Sequence, residues 1–175
     1  MTTTAALMAC KSVEGNSSAS PAQPAATQQS QSSAMPEGRL VEVTYNYWGS
    51  FISQYSDFEL KRNTGDGSGK LSFSYWQEQV TFDVPDSLFV RARQIIEEER
   101  MYEYDSGYHL PPEIERALLD GYSWRYSATF EGGQHLSSSG RQVSPPGDGL
   151  RKIEQLLNEA AERCVKENGL NVEGQ

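Results

Sequence analysis

The sequence predicts an α+β fold, in which an antiparallel sheet of about five to six strands carries two main helices on one face, in two layers. Residues 39–84 and 123–139 alternate apolar and polar side chains, which is the period of strands with one buried face. Residues 87–99 and 148–168 repeat apolar side chains every three or four positions, as helices with one apolar stripe do. Tight turns between strands favour antiparallel pairing, and such helices cover one face.

The first strands begin the domain at Arg39. The stretch LVEVTYNYW places Val41, Val43, Tyr45 and Tyr47 on one face of a half-buried strand. DFELKR and KLSFSYW flank the turn NTGDGSG, which predicts a hairpin with a long tip, and QVTFDV adds one more strand.

A change of period marks the first main helix. Pro85 ends the preceding strand, and Asp86 is the predicted N-cap, because its carboxylate can accept free N–H groups of the first turn. The apolar stripe consists of Leu88, Ala92, Ile95 and Ile96. A short helix is predicted from Pro111-Pro112 to about Gly121, since proline is tolerated in a first turn.

The second half of the chain again contains strands followed by a helix. SWRYSATF and QHLSSS are predicted strands, separated by the turn EGG. The last helix is predicted from Asp148 to about Asn168, before Gly169. Its stripe contains Leu150, Ile153, Leu157, Ala160 and Cys164, so we interpret Cys164 as a packed thiol and not as a nucleophile.

The N-terminal part has the composition of a tether. Residues 11–38 are dominated by Ser, Ala, Gln and Pro, and they cannot bury enough apolar area to offset their ordering. Such a disordered segment has an r.m.s. reach of roughly 30 Å. It is interpreted as a spacer or as a plain disordered end. The single folded domain is predicted at 39–169, and residues 170–175 are a predicted disordered tail.

Composition disfavours a nucleic-acid partner. The formal net charge is −9, and acidic residues surround both basic pairs, Lys61-Arg62 and Arg151-Lys152. No apolar run approaches the roughly 20 residues that span a bilayer.

Motifs for chemistry are sparse. HExxH, CxxC and GxSxG are absent, and we predict no catalytic residue, no metal and no cofactor. GDGSGK departs from a phosphate-binding loop, because Leu71 follows Lys70 where Ser or Thr would hold magnesium. Asp66 with Asn63 supplies too few oxygens for calcium. The histidines leave an alternative, a small hydrolase-like enzyme with an unrecognised site near His109 or His135.

Aromatic residues are the unusual chemical feature. The core is the default for most of them, because aromatic side chains pack well on a sheet. The segment MYEYDSGYHL is the exception, since its tyrosines lie among acids in a predicted loop. It suggests a binding rim of Tyr102, Tyr104, Tyr108 and His109, or else a loop whose tyrosines anchor on the sheet.

The N-terminal LMAC, residues 7–10, resembles a bacterial lipobox. That resemblance implies cleavage before Cys10 and a diacylglycerol on its thiol, which would attach the chain to a membrane. Only nine residues precede Cys10, and none is Lys or Arg, whereas a secretory signal has about 15 to 30 residues and a basic start. We therefore expect residues 1–10 to be the truncated remnant of a signal.

The folded part resembles domains of unknown function in lipid-anchored proteins of the Bacteroidetes type. The similarity rests on YSDFEL, VTFDVPDSL, YSATFEGGQHLSSSG and PPGDGLRKIEQLL. It implies an address in the bacterial cell envelope, either periplasmic or surface-facing, and no particular reaction. The sequence thus predicts a lipid-anchored, non-enzymatic domain that binds a protein or glycan partner. A cytoplasmic protein with an accidental LMAC is the remaining alternative.

Overall fold

The computed structural model describes residues 34–49, 54–65, 67–117 and 121–170. The predicted signal remnant, Cys10, most of the tether, Asp66 and the tail at 171–175 lie outside the described residues. The strands are β1 (Leu40–Trp48), β2 (Tyr55–Arg62), β3 (Gly69–Tyr75), β4 (Glu78–Val84), β5 (Tyr108–His109), β6 (Ser123–Phe130) and β7 (His135–Arg141). The helices are α1 (Asp86–Glu98), α2 (Pro112–Ala117) and α3 (Gly149–Glu167).

The described strands form one sheet with the order β4-β3-β2-β1-β6-β7-β5. This confirms the α+β class, but the sheet has seven strands where five to six were predicted. The additional strand is β5, a two-residue segment that pairs parallel with β7, while the other pairings are antiparallel. Two residues are too few to show an alternating pattern, so the sequence predicted a loop there.

Both long helices pack on one face of the sheet. Phe89 and Ile96 of α1, and Ile153 and Leu157 of α3, are fully buried in one cluster with the strand side chains. The strand members of this cluster include Val43, Tyr45, Leu60, Leu71, Phe73, Trp124, Tyr126 and Phe130. The opposite face carries hydroxyls that pair across strands, such as Thr44 with Ser127.

The start of α1 differs from the prediction. Helix α1 begins at Asp86, and its N-cap, Pro85, makes no side-chain cap hydrogen bond. The Asp86 carboxylate instead accepts a hydrogen bond from the Arg62 guanidinium. The predicted N-cap is therefore wrong, because a buried cation competes for this carboxylate.

The described residues before Arg39 contact the domain. Met35 packs against the core, although residues up to 38 were assigned to the tether. The backbone N–H of Glu37 donates to Oε1 of Gln134, 2.8 Å away, at the β6–β7 turn. These residues escaped the prediction because their composition continues that of the tether.

None of the helices in the described parts of the chain is long and apolar enough to cross a membrane.

Candidate functional site

One end of the sheet collects exposed aromatic side chains. Strand β1 ends there with Tyr47 and Trp48, which are 40% and 47% exposed, and the β3–β4 turn contributes Trp76, which is 53% exposed. Tyr55 begins β2 at the same end, because β2 runs antiparallel to β1. We call this surface the aromatic end; its residues are Tyr47, Trp48, Tyr55, Trp76 and Tyr122, and the buried Tyr75 supports it from below.

Stacking fixes several of these rings. Tyr47 stacks on Tyr122 with ring centroids 6.0 Å apart and planes inclined by 19°. Tyr55 stacks on Tyr75 at 5.5 Å and 14°. Aromatic pairs with this offset geometry contribute about 1 kcal/mol each beyond the area they bury. These four rings therefore hold one another in place.

The backbone conformation at Trp76 is unfavourable for a residue with a large side chain. Trp76 and Gln77 form the two-residue turn between β3 and β4, with φ of 47° and 73°. Positive φ at both positions defines a type I′ turn, in which Asn and Gly are the preferred residues. A large side chain held in this region costs about 1 kcal/mol or more. A strained and exposed residue of this kind is typical of functional sites.

The N-terminal segment joins the domain at the other end of the sheet. Arg39 forms an ion pair with Glu131 at the β6–β7 turn, with 2.8 Å between Nη2 and Oε1. The backbone N–H and the guanidinium of Arg39 lower the pKa of the Glu131 carboxyl. Since β1 runs from Leu40 to Trp48, the aromatic end lies roughly 25 Å from this junction.

The rim predicted from MYEYDSGYHL is only partly at the surface. Tyr104 is 7% exposed and belongs to the core, so its ring offers no rim surface, which corrects that part of the prediction. Tyr102 is half-buried against the core. Tyr108 lies against Trp124 at 5.8 Å, and its hydroxyl oxygen accepts the N–H of Asp105. His109 is exposed.

His109 also lies at the aromatic end of the sheet. It pairs with Arg141, which pairs with Ser123, and Ser123 pairs with Trp48. Tyr108 lies at this end as well, because it pairs with Gly140, Gly140 with Trp124 and Trp124 with Tyr47. The aromatic end and two residues of the predicted rim therefore share one end of the sheet.

The two histidines are far apart. His135 begins β7, and its Nδ1 lies 3.2 Å from the Thr129 hydroxyl. His109 pairs with the last residue of β7, Arg141, so the two imidazoles are separated by about 20 Å along the strand. Within the described residues, no group of three His, Cys, Asp or Glu side chains could hold a metal ion.

Cys164 lies half-buried on α3, next to a groove between α1 and α3 of about 220 Å³. Burial raises the pKa of its thiol, and Glu167 raises it further, so the thiolate is disfavoured. This agrees with packing and not with nucleophilic chemistry.

Comparisons with protein-family models, with curated proteins and with solved structures found no match to this chain. The candidate site therefore rests on the geometry of the chain itself.

Sequence reasoning missed the aromatic end because it took the core as the default for most aromatic residues and did not single out Trp48 or Trp76. Trp124, by contrast, is 1% exposed, as that default predicts. A signal was present in the sequence: WQ lies between two alternating runs, SFSY and EQVTF, which leaves two residues for a tight turn. A tryptophan in such a turn lies outside the paired strands, and Trp76 is exposed there.

Proposed function

We propose that the protein is a non-enzymatic domain of the bacterial cell envelope, anchored by a lipid on Cys10, which binds a protein or glycan partner through its aromatic end. The observation that carries the proposal is that two features lie at opposite ends of the sheet. The chain joins the sheet at Arg39, and the exposed rings of Trp48 and Trp76 lie at the other end. A tether attached at the first end would place the second end away from the membrane.

The residue types at the aromatic end support a binding role. Tryptophan and tyrosine provide large rigid contact areas and lose little side-chain entropy when a partner immobilises them. They are also the residues that most often dominate binding energy at interfaces. Stacking of Tyr47 on Tyr122 and of Tyr55 on Tyr75 lowers the remaining entropy cost, because these rings are already ordered.

The strain at Trp76 points in the same direction. Asn or Gly in this turn would stabilise the hairpin, so a tryptophan with positive φ is unfavourable for folding alone. Strained residues cluster at functional sites, where the surrounding structure compensates for them.

The anchor is tested on the native protein. Mass spectrometry of the membrane-extracted chain is expected to find Cys10 as the first residue, carrying a diacylglycerol, and the Cys10→Ser chain is expected in the soluble fraction. An unmodified N-terminal peptide that contains Cys10, with the chain in the soluble fraction, would overturn the anchor.

The aromatic end is tested with a double variant, Trp48→Ala with Trp76→Ala. Binding is measured to immobilised protein and glycan fractions of the envelope, kept separate so that the class of partner is read directly. We expect saturable binding to one fraction, weakened at least about tenfold in the double variant, since hot-spot side chains each contribute about 2 kcal/mol. Val90→Ala is the control, because Val90 is exposed on α1 away from the aromatic end. Equal binding by the double variant and the control would contradict the site.

A further inference from the structure

The outer edge of β4 is an open sheet edge. β4 pairs with β3 over seven residues without a register shift, and nothing in the described chain pairs with its other side. Natural edges are blocked by charged side chains, proline or bulges. EQVTFDV has no proline and no bulge, and of its two charged residues, Glu78 and Asp83, the second is paired with Lys70 of β3. The opposite edge is partly covered, because β5 pairs with β7 and the Ser138 hydroxyl donates to the carbonyl oxygen of Asp105.

The turn at Trp76 and Gln77 determines which backbone groups of β4 point outward. In a two-residue hairpin the flanking residues, Tyr75 and Glu78, exchange both backbone hydrogen bonds. Hydrogen-bonded positions alternate from there, so Val80, Phe82 and Val84 bond to β3. The N–H and C=O groups of Gln79, Thr81 and Asp83 therefore face away from the sheet.

We propose that a second copy of this chain pairs with the edge, β4 antiparallel to β4, with Thr81 facing Thr81 of the second copy. In this register Gln79 of each copy faces Asp83 of the other copy. The outward groups of these three residues then form about six hydrogen bonds across the two-fold axis. The inference concerns a different surface from the aromatic end and does not depend on the lipid anchor.

Side chains on both faces of the edge suit this pairing. Val80 and Phe82 are only partly buried, and in this register they face each other across the two copies. On the other face, Thr81 already pairs with the Ser72 hydroxyl at 2.9 Å, and the second copy would extend this row of hydroxyls. No carboxylate faces another carboxylate, because Asp83 faces an amide. A register shifted by two residues, with Asp83 facing Asp83 of the second copy, would lose this compatibility.

Charge substitutions at Gln79 test the register. In sedimentation experiments on the full chain at increasing concentration, the average mass should rise from 19.5 kDa toward twice that value. Gln79→Lys faces Asp83 of the second copy and should lower the dimer dissociation constant by about fivefold, whereas Gln79→Glu should raise it by a similar factor. Added salt should strengthen the wild-type dimer, because two chains of charge −9 repel each other.

Thr81→Pro is the second test. Proline removes an N–H that points outward, so pairing with β3 is kept while the dimer is lost. Thr81→Val keeps the N–H and should still dimerise, and circular dichroism checks that both variants fold. A wild-type chain that stays at 19.5 kDa at every concentration, or that gains mass only with an extended peptide of another protein, overturns the proposal. Equal dimerisation of Gln79→Lys and Gln79→Glu overturns it as well.

Discussion

The guanidinium of Arg62 lies over the ring of Phe89, 4.4 Å from the ring centroid. Its Nε donates to the carbonyl oxygen of Leu40 at 3.0 Å, and its Nη1 donates to that of Gly67 at 3.0 Å. The Phe89 ring also packs closely against residue 69 of β3. This contact requires glycine at that position, because a Cβ there would lie 2.3 Å from Cζ of Phe89. The Arg62 side chain thus joins β1, the β2–β3 turn and α1.

Arg62→Met is expected to lower the free energy of unfolding by about 2–3 kcal/mol. The Arg62 side chain is only 6% exposed, so its removal leaves two carbonyl oxygens without their donor. Urea denaturation measures the loss. The neighbouring substitution Lys61→Met is the control, since that side chain is 60% exposed and should change stability by at most about 0.5 kcal/mol. Equal effects of both substitutions would contradict this role of Arg62.

Tyr126→Phe is expected to leave stability unchanged or to raise it by up to about 1 kcal/mol. The Tyr126 hydroxyl is fully buried and has no hydrogen-bond partner among the described residues. Tyr45→Phe is the matched comparison, because the Tyr45 hydroxyl donates to Oε2 of Glu154 at 3.2 Å. That substitution should cost about 1 kcal/mol. A loss above 1 kcal/mol in Tyr126→Phe would show that the hydroxyl has a partner.

Buried tyrosines predict a loss of stability at alkaline pH. Burial raises the pKa of Tyr104 from 10.0 to about 12, and burial also raises the pKa of Tyr45 and Tyr126. Above pH 10 the unfolded chain releases protons that the folded chain retains, so the free energy of unfolding falls as pH rises from about 10 through 12. Urea denaturation at a series of pH values measures the slope, and Tyr104→Phe should make it shallower. Constant stability up to pH 12 would refute the burial of these hydroxyls.

Gln77→Gly is expected to raise the free energy of unfolding by about 0.5–1 kcal/mol. Gln77 has a φ of 73°, a conformation that glycine adopts without steric cost. Gln79→Gly is the opposite control, since glycine inside a strand is destabilising by about 0.5–1 kcal/mol. Thermal unfolding of both variants gives the comparison. A destabilised Gln77→Gly would mean that the Gln77 side chain makes up for its strain.

The sequence predicted the layers of the fold well, because alternation and helical spacing report directly on burial. Val43, Phe73, Ile153 and Leu157 all lie in the core, as their periodicity required. What failed depends on contacts between distant residues. Asp86 does not cap α1, because its carboxylate accepts a hydrogen bond from Arg62, which lies 24 positions away in sequence.

The candidate site was predicted less well, for a related reason. Tyr104 and Trp76 are both aromatic residues near turns, yet one is buried and the other exposed. The exposure of Trp76 follows from its place in a two-residue turn, which the flanking strand patterns indicate. The burial of Tyr104 depends on contacts with residues distant in sequence, such as Gly149, and local sequence does not carry that information. His109 is exposed, and its position at the aromatic end follows from the β5–β7 pairing, which the sequence did not predict.

Photocrosslinking from the two ends of the sheet tests the binding claim most directly. A benzophenone amino acid is placed at Trp48, or in a second chain at His135, which is exposed at the end where the N-terminal segment joins. Both chains are produced in the native cell and irradiated. We predict that position 48 gives a discrete adduct with an envelope protein or glycan and that position 135 gives none. An adduct of equal yield from both positions, or one from position 135 alone, would contradict binding through the aromatic end.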